Sequence, residues 1–213
     1  MAHDFPLKQF RESIKQVGKY VDLLYIGEDG IIRCNSTDAS SIGQFIAFPK
    51  GLESIKEFAP ISFSVTEISK DLSKLKIKAL ECDKTDTELR LYDGSDISVR
   101  IDRCNERLHT SEFVEFIWSR LDTYNFTELS QSEIDKLKDG QLVALPAFFR
   151  DENKEPLKIL ISGREFAFAK ALESISIAAV EKETEYQQNL DHSHVVIRIE
   201  YDSVVIFMLC GVV

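Results

Sequence analysis

The sequence predicts an α+β protein with mostly antiparallel sheets, in two domains of about 100 residues each. Three observations carry this. Apolar residues recur at helical spacing in two lysine-bearing segments, 6–22 and 64–76. Short alternating runs, punctuated by Asp-Gly pairs, surround them. Charge also changes along the chain. Residues 1–107 carry 16 basic and 18 acidic side chains, whereas residues 108–213 carry 10 and 18. The domain boundary is therefore read at 107/108.

The first element, 6–22, opens on Pro6, which suits a first helical turn. Phe10, Ile14, Val17 and Val21 share one helical face, and Lys8, Arg11, Lys15 and Lys19 share another. Two apolar runs around Glu28-Asp29-Gly30 form a hairpin, because Asp-Gly supplies the positive-φ turn. Residues 41–48 are a further strand, ended by Pro49. Residues 61–68 alternate Ile61, Phe63 and Val65 with Ser62, Ser64 and Thr66, a strand with one buried face. A second helix follows over 64–76, with Ile68, Leu72 and Leu75 as its stripe and Lys70, Lys74 and Lys78 on the other side. Three strands then run to residue 103, turning at 83–86 and Asp93-Gly94. The first half thus reads as helix, three strands, strand into helix, three strands.

In the second half, Phe113, Phe116, Ile117 and Leu121 favour a helix over 109–126, although the segment also fits a strand. Residues 130–140 form a short helix between a serine cap and Gly140. Two strands flank a polar turn at 151–155. A helix is expected over 163–176, with Phe166, Ala169, Leu172 and Ile175 on one side. Three strands complete the chain, separated by a loop at 184–193.

The charge of −10 over 213 residues excludes a protein that coats nucleic acid with its whole surface, since phosphate neutralisation needs a cationic footprint. It leaves room for a local basic face. Four cations and one acid lie within 8–19, and four lysines and one acid within 69–78. A solvated helix face is the plain alternative for either helix alone. Two such faces in an acidic chain point to a polyanion running along one surface. Neither helix starts with the Asn, Gln and Arg groupings that read base edges, so the contact is expected to be to phosphates and independent of sequence.

Residues 6–103 resemble one domain of a DNA sliding clamp, the ring-forming processivity factors of DNA replication that include proliferating cell nuclear antigen and the trimeric phage clamps. The resemblance rests on the opening helix, the turn Asp29-Gly30-Ile31, the turn Asp38-Ala39-Ser40, and the strand that runs into a lysine-bearing helix at Ser64–Lys76. Residues 162–180 are similar to the strand–helix–strand step before a second such helix. The resemblance implies two clamp-type domains, each with antiparallel sheets and two helices, the second divergent. It implies a homotrimeric ring around duplex DNA, with a DNA polymerase and a clamp loader as partners and no catalysis of its own. Carried over residue by residue, the DNA-facing set is Lys8, Arg11, Lys15, Lys19, Lys70, Lys74 and Lys78. Residues 108–157 do not follow the pattern. Lys136, Lys138, Arg164 and Lys170, near candidate helices of the second half, form no stripe.

Other chemistries have weaker signals. His192 and His194 have metal-ligand spacing at a strand start, which makes a small metal-dependent hydrolase the first alternative. A polar loop leading into a strand is the simpler explanation of the pair. The second alternative is an acidic, non-catalytic interaction module. No GxSxG element or glycine-rich phosphate loop occurs, and no cofactor is called for. Cys34, Cys82, Cys104 and Cys210 form no CxxC pair, which suits reduced thiols and a cytoplasmic setting. The opening residues lack the apolar stretch of a signal peptide, and the longest apolar run, 204–213, is half of a membrane span. Trp118, Phe113 and Phe116 lie near the domain junction, where core packing is the simplest role and a peptide pocket the other.

Overall fold

The computed structural model describes residues 5–20, 22–34, 45–75, 81–85, 87–92, 98–102, 112–136, 142–144, 158–160, 172–180 and 194–211. The chain divides into two compact units. Unit 1 comprises Met1–Asn35, Ile46–Leu108 and Asp202–Val205; unit 2 comprises Ser36–Phe45, His109–Tyr201 and Ile206–Val213. The class is α+β, and the strand registers are antiparallel.

Unit 1 contains helix α1 (Leu7–Val17), strands β1 (Leu23–Ile26), β2 (Ile32–Cys34) and β3 (Phe45–Pro49, of which Phe45 is counted with unit 2), strand β4 (Ile61–Ser64), helix α2 (Val65–Leu72), and strands β5 (Glu81–Lys84), β6 (Glu88–Tyr92) and β7 (Ser98–Asp102). A helix followed by three strands therefore occurs twice. One sheet runs in the order β4-β1-β2-β3 and a second in the order β5-β6-β7. The β1–β2 turn is held by Asp29. Its Oδ1 accepts from the Ile31 N–H (3.0 Å), and both its oxygens accept from the Arg33 guanidinium (3.0 and 2.6 Å). Gly30 adopts φ +77°, the left-handed conformation that Asp-Gly turns need. Burial acts to raise the Asp29 carboxyl, but the Arg33 and Ile31 hydrogen bonds and the Arg33 charge outweigh it and hold it below its ordinary range.

The core of unit 1 is aromatic at one end. Phe5 meets Phe10 and Phe58 edge-on, each at 5.1 Å between centroids, and Phe10 meets Phe63 at 5.5 Å. Leu89, Leu91, Val99 and Ile101 alternate inward on the second sheet. The strand expected over 61–68 stops at Ser64. There the Ser64 hydroxyl accepts from the Glu67 N–H (3.2 Å), so the serine ends the strand and caps α2.

Unit 2 contains α3 (Glu112–Trp118), β8 (Thr127–Glu128), α4 (Gln131–Lys136), and β9 (Leu142–Ala144) to β10 (Lys158–Leu160), which pair with each other. It continues through β11 (Leu172–Val180), β12 (His194–Tyr201) and β13 (Val204–Gly211), whose first two residues belong to unit 1. The sheet order is β13-β12-β11-β8. The Ser130 N–H donates to Glu133 Oε2 (2.8 Å), one half of a capping box at α4.

The helix expected over 163–176 is corrected from Leu172 onward. That stretch is β11, and Ile175 pairs with Ile199. Ile175 and Ile177 are fully buried, and Ser176 and Ala178 on the opposite face are buried as well. The β-branched residues and the pairing with β12 prevail over the helical spacing of Leu172 and Ile175. Phe166 and Ala169 lie outside the described residues.

Candidate nucleic-acid interface

Of the cations singled out in the sequence, Lys8, Arg11 and Lys15 sit on α1 and Lys70 on α2, which pack against each other. α1 exists because Leu7, Phe10, Ile14 and Val17 form one buried stripe. α2 buries Val65, Ile68 and Leu72, with Leu75 just beyond its end. Asp22, at the start of β1, fixes the head of α2. Its Oδ1 accepts from the Thr66 N–H (2.8 Å) and its Oδ2 from the Ser64 hydroxyl (2.8 Å). These bonds, those of Thr66 foremost, hold the Asp22 carboxyl below its ordinary range.

A second tie comes from the far end of the chain. The Ser13 hydroxyl, fully buried on α1, donates to the Ser203 carbonyl at 3.1 Å. The same carbonyl accepts from the Lys50 N–H at 2.8 Å.

The tail of α1 and the head of α2 are held apart by very little. Gly18, immediately after α1, approaches Val65 so closely that only a hydrogen fits on its α-carbon.

Lys8, Arg11 and Lys15 are exposed on α1, and Lys70 is exposed on α2. The ion pairs formed by the described residues leave these four out. Two other candidates are engaged. Lys19 is half-buried and donates to Gln16 Oε1; burial first, then the Lys15 charge, lowers its ammonium from the ordinary value. Lys74, just past the end of α2, pairs with Asp71 at 2.6 Å. Lys78 lies outside the described residues. The sequence stripe of equivalent cations thus resolves into four available charges and two locally bonded ones.

A groove of about 740 Å³ runs between the helices. Its α1 wall carries Lys8, Arg11 and Lys15, with Gln9 and Glu12 beside them. Across from them α2 contributes Ser69. Leu7, Ile14, Leu72 and Leu75 lie beneath, each 4% exposed or less. Lys70 is not among the lining residues. At about 100° per residue it stands roughly opposite the buried stripe of α2, while Ser69 flanks that stripe on the groove side. Sequence reading missed Ser69 because a lone serine on a helix carries no charge signal.

The remaining candidates are scattered. His194 is half-buried at the start of β12, and His192 lies outside the described residues. Among the described residues, no three His, Cys, Asp or Glu side chains gather as metal ligands would. Trp118 is buried on α3, and the Arg120 guanidinium lies 5.2 Å over the Phe116 ring. Cys210 is buried in β13, and burial pushes its thiol up to about 12. Among the described residues, no helix is long and apolar enough to cross a membrane. No protein-family model and no curated protein matches this chain.

Proposed function

We propose that this chain is a DNA sliding clamp, a ring-shaped processivity factor that keeps a DNA polymerase on duplex DNA without catalysing a reaction itself. Three copies close the ring. Unit 1 serves as the first clamp-type domain and unit 2 as a divergent second. A DNA polymerase and a clamp loader are its protein partners.

The observation that carries this reading is the doubled helix-plus-three-strands order of unit 1, with its two helices side by side and their free cations outward. Sliding needs attraction without registration. Long flexible lysines supply charge to any phosphate they meet, and each contact releases about one counterion. Contacts made to phosphates alone leave no step along the duplex preferred over the next. The acidity of the rest of the chain repels DNA from other surfaces.

The test is size in solution together with primer extension. Light scattering at micromolar concentration should give a trimer whose mass does not depend on DNA, and the protein should lengthen the products of its cognate polymerase per binding event. A monomer that leaves product length unchanged overturns the proposal.

A further inference from the structure

We infer that the groove between α1 and α2 is a one-sided phosphate channel, with α1 supplying the charge and Ser69 the opposing hydrogen-bond donor. This rests on the duplex-binding reading above and deepens it. A symmetric reading would give both helices equal weight, since each has a net positive segment. The side chains divide the work differently. Three exposed cations, Lys8, Arg11 and Lys15, stand on one wall, and none of the lysines of α2 lines the other. Lys70 projects away from the groove, and Lys74 is spent on Asp71.

Ser69 is exposed, faces the α1 cations and has a hydroxyl that suits a phosphate oxygen. The α1 wall sets three exposed cations against one acid, Glu12, so the occupant is polyanionic. Glu12, at the groove edge, keeps the wall from holding a phosphate too tightly for the duplex to move on.

A charge-matched control makes the test sharp. Binding of a short fluorescein-labelled DNA duplex to the native full-length protein is followed by anisotropy at about 0.1 M salt, where the Debye length is about 10 Å. Ser69→Asp places an anion in the channel and should weaken binding about fivefold, and Ser69→Lys should tighten it by about as much. Ser54→Asp makes the same charge change at an exposed serine that does not line the groove and should change binding by less than about twofold. Ser69→Lys keeps the test decisive if the aspartate variant fails to fold. If Ser54→Asp weakens binding as much as Ser69→Asp, or if both Ser69 variants bind like the native protein, the channel is wrong and duplex binding stands. If the native protein does not bind the duplex at all, both fall.

Discussion

Gly18 and Val65 meet at a distance that leaves no room for a methyl group. A Cβ at position 18 would stand 2.4 Å from Val65 Cγ1 and 2.9 Å from the Ile14 carbonyl oxygen. Gly18 has φ −64°, which any residue adopts, so its backbone does not call for glycine; the neighbour does. The contact sets how closely the tail of α1 approaches the head of α2.

Gly18→Ala should therefore destabilise unit 1 by about 1–3 kcal/mol, the range for overpacking, despite alanine's better helix propensity. Combining it with Val65→Ala should recover part of the loss, because removing the two γ-methyls reopens the space. Urea denaturation of the two single variants and the pair gives the coupling, expected to be about 1 kcal/mol.

The cap of α2 should give stability a specific pH dependence. The folded pKa of Asp22 lies below its unfolded value of about 3.9. Its contribution is then fully present above that value and is lost as pH falls through the folded pKa. Asp22→Asn should be less stable than the native chain at pH 7, with the gap closing below about pH 4. Ser64→Ala, which removes the neighbouring cap, should cost about 1 kcal/mol. Thermal melts from about pH 2.5 to about pH 7 check both variants.

The bond between Ser13 and Ser203 should be worth a modest amount. Ser13→Ala removes the donor but leaves the Ser203 carbonyl bonded to the Lys50 N–H. No buried acceptor is orphaned, so the expected cost is about 0.5–1.5 kcal/mol. The Lys50 amide should stay protected from hydrogen exchange in the variant.

Charge reversal on α1 should act through salt dependence. Replacing Lys8, Arg11 or Lys15 by Glu should reduce the slope of log affinity for duplex DNA against log salt by about one each. Lys74→Glu should do less, because Asp71 already neutralises that lysine. Equal effects at Lys15 and Lys74 would contradict the division into free and paired cations.

Cys210 should be inert in the folded protein. The thiolate is the reactive form, and burial pushes this thiol up to about 12. Alkylation mapped by mass spectrometry should label Cys210 only after denaturant is added.

Much of the fold was legible because local chemistry specified it. Asp29-Gly30 announced its hairpin, and Ile68, Leu72 and Leu75 announced the buried side of α2. Leu172 and Ile175 misled because three-residue spacing on a β-branched run fits a helix until strand partners such as Ile199 compete. The site was legible in composition and not in geometry. Lys19 and Lys74 look like Lys15 and Lys70 in sequence, yet Gln16 and Asp71 engage them. Asp22 reaches across 44 residues to Thr66, and Ser13 across 190 to Ser203; no local pattern signals either partner.

The last of these spans has a consequence for biosynthesis. Synthesis runs from the amino terminus, and Ser13 leaves the ribosome long before residues 202–205 exist. For most of translation the α1 hydroxyl has no carbonyl to meet, so this part of unit 1 forms only once residues 202–205 have left the ribosome. A nascent chain stalled near residue 190 should be digested within α1 by a protease that the released protein resists.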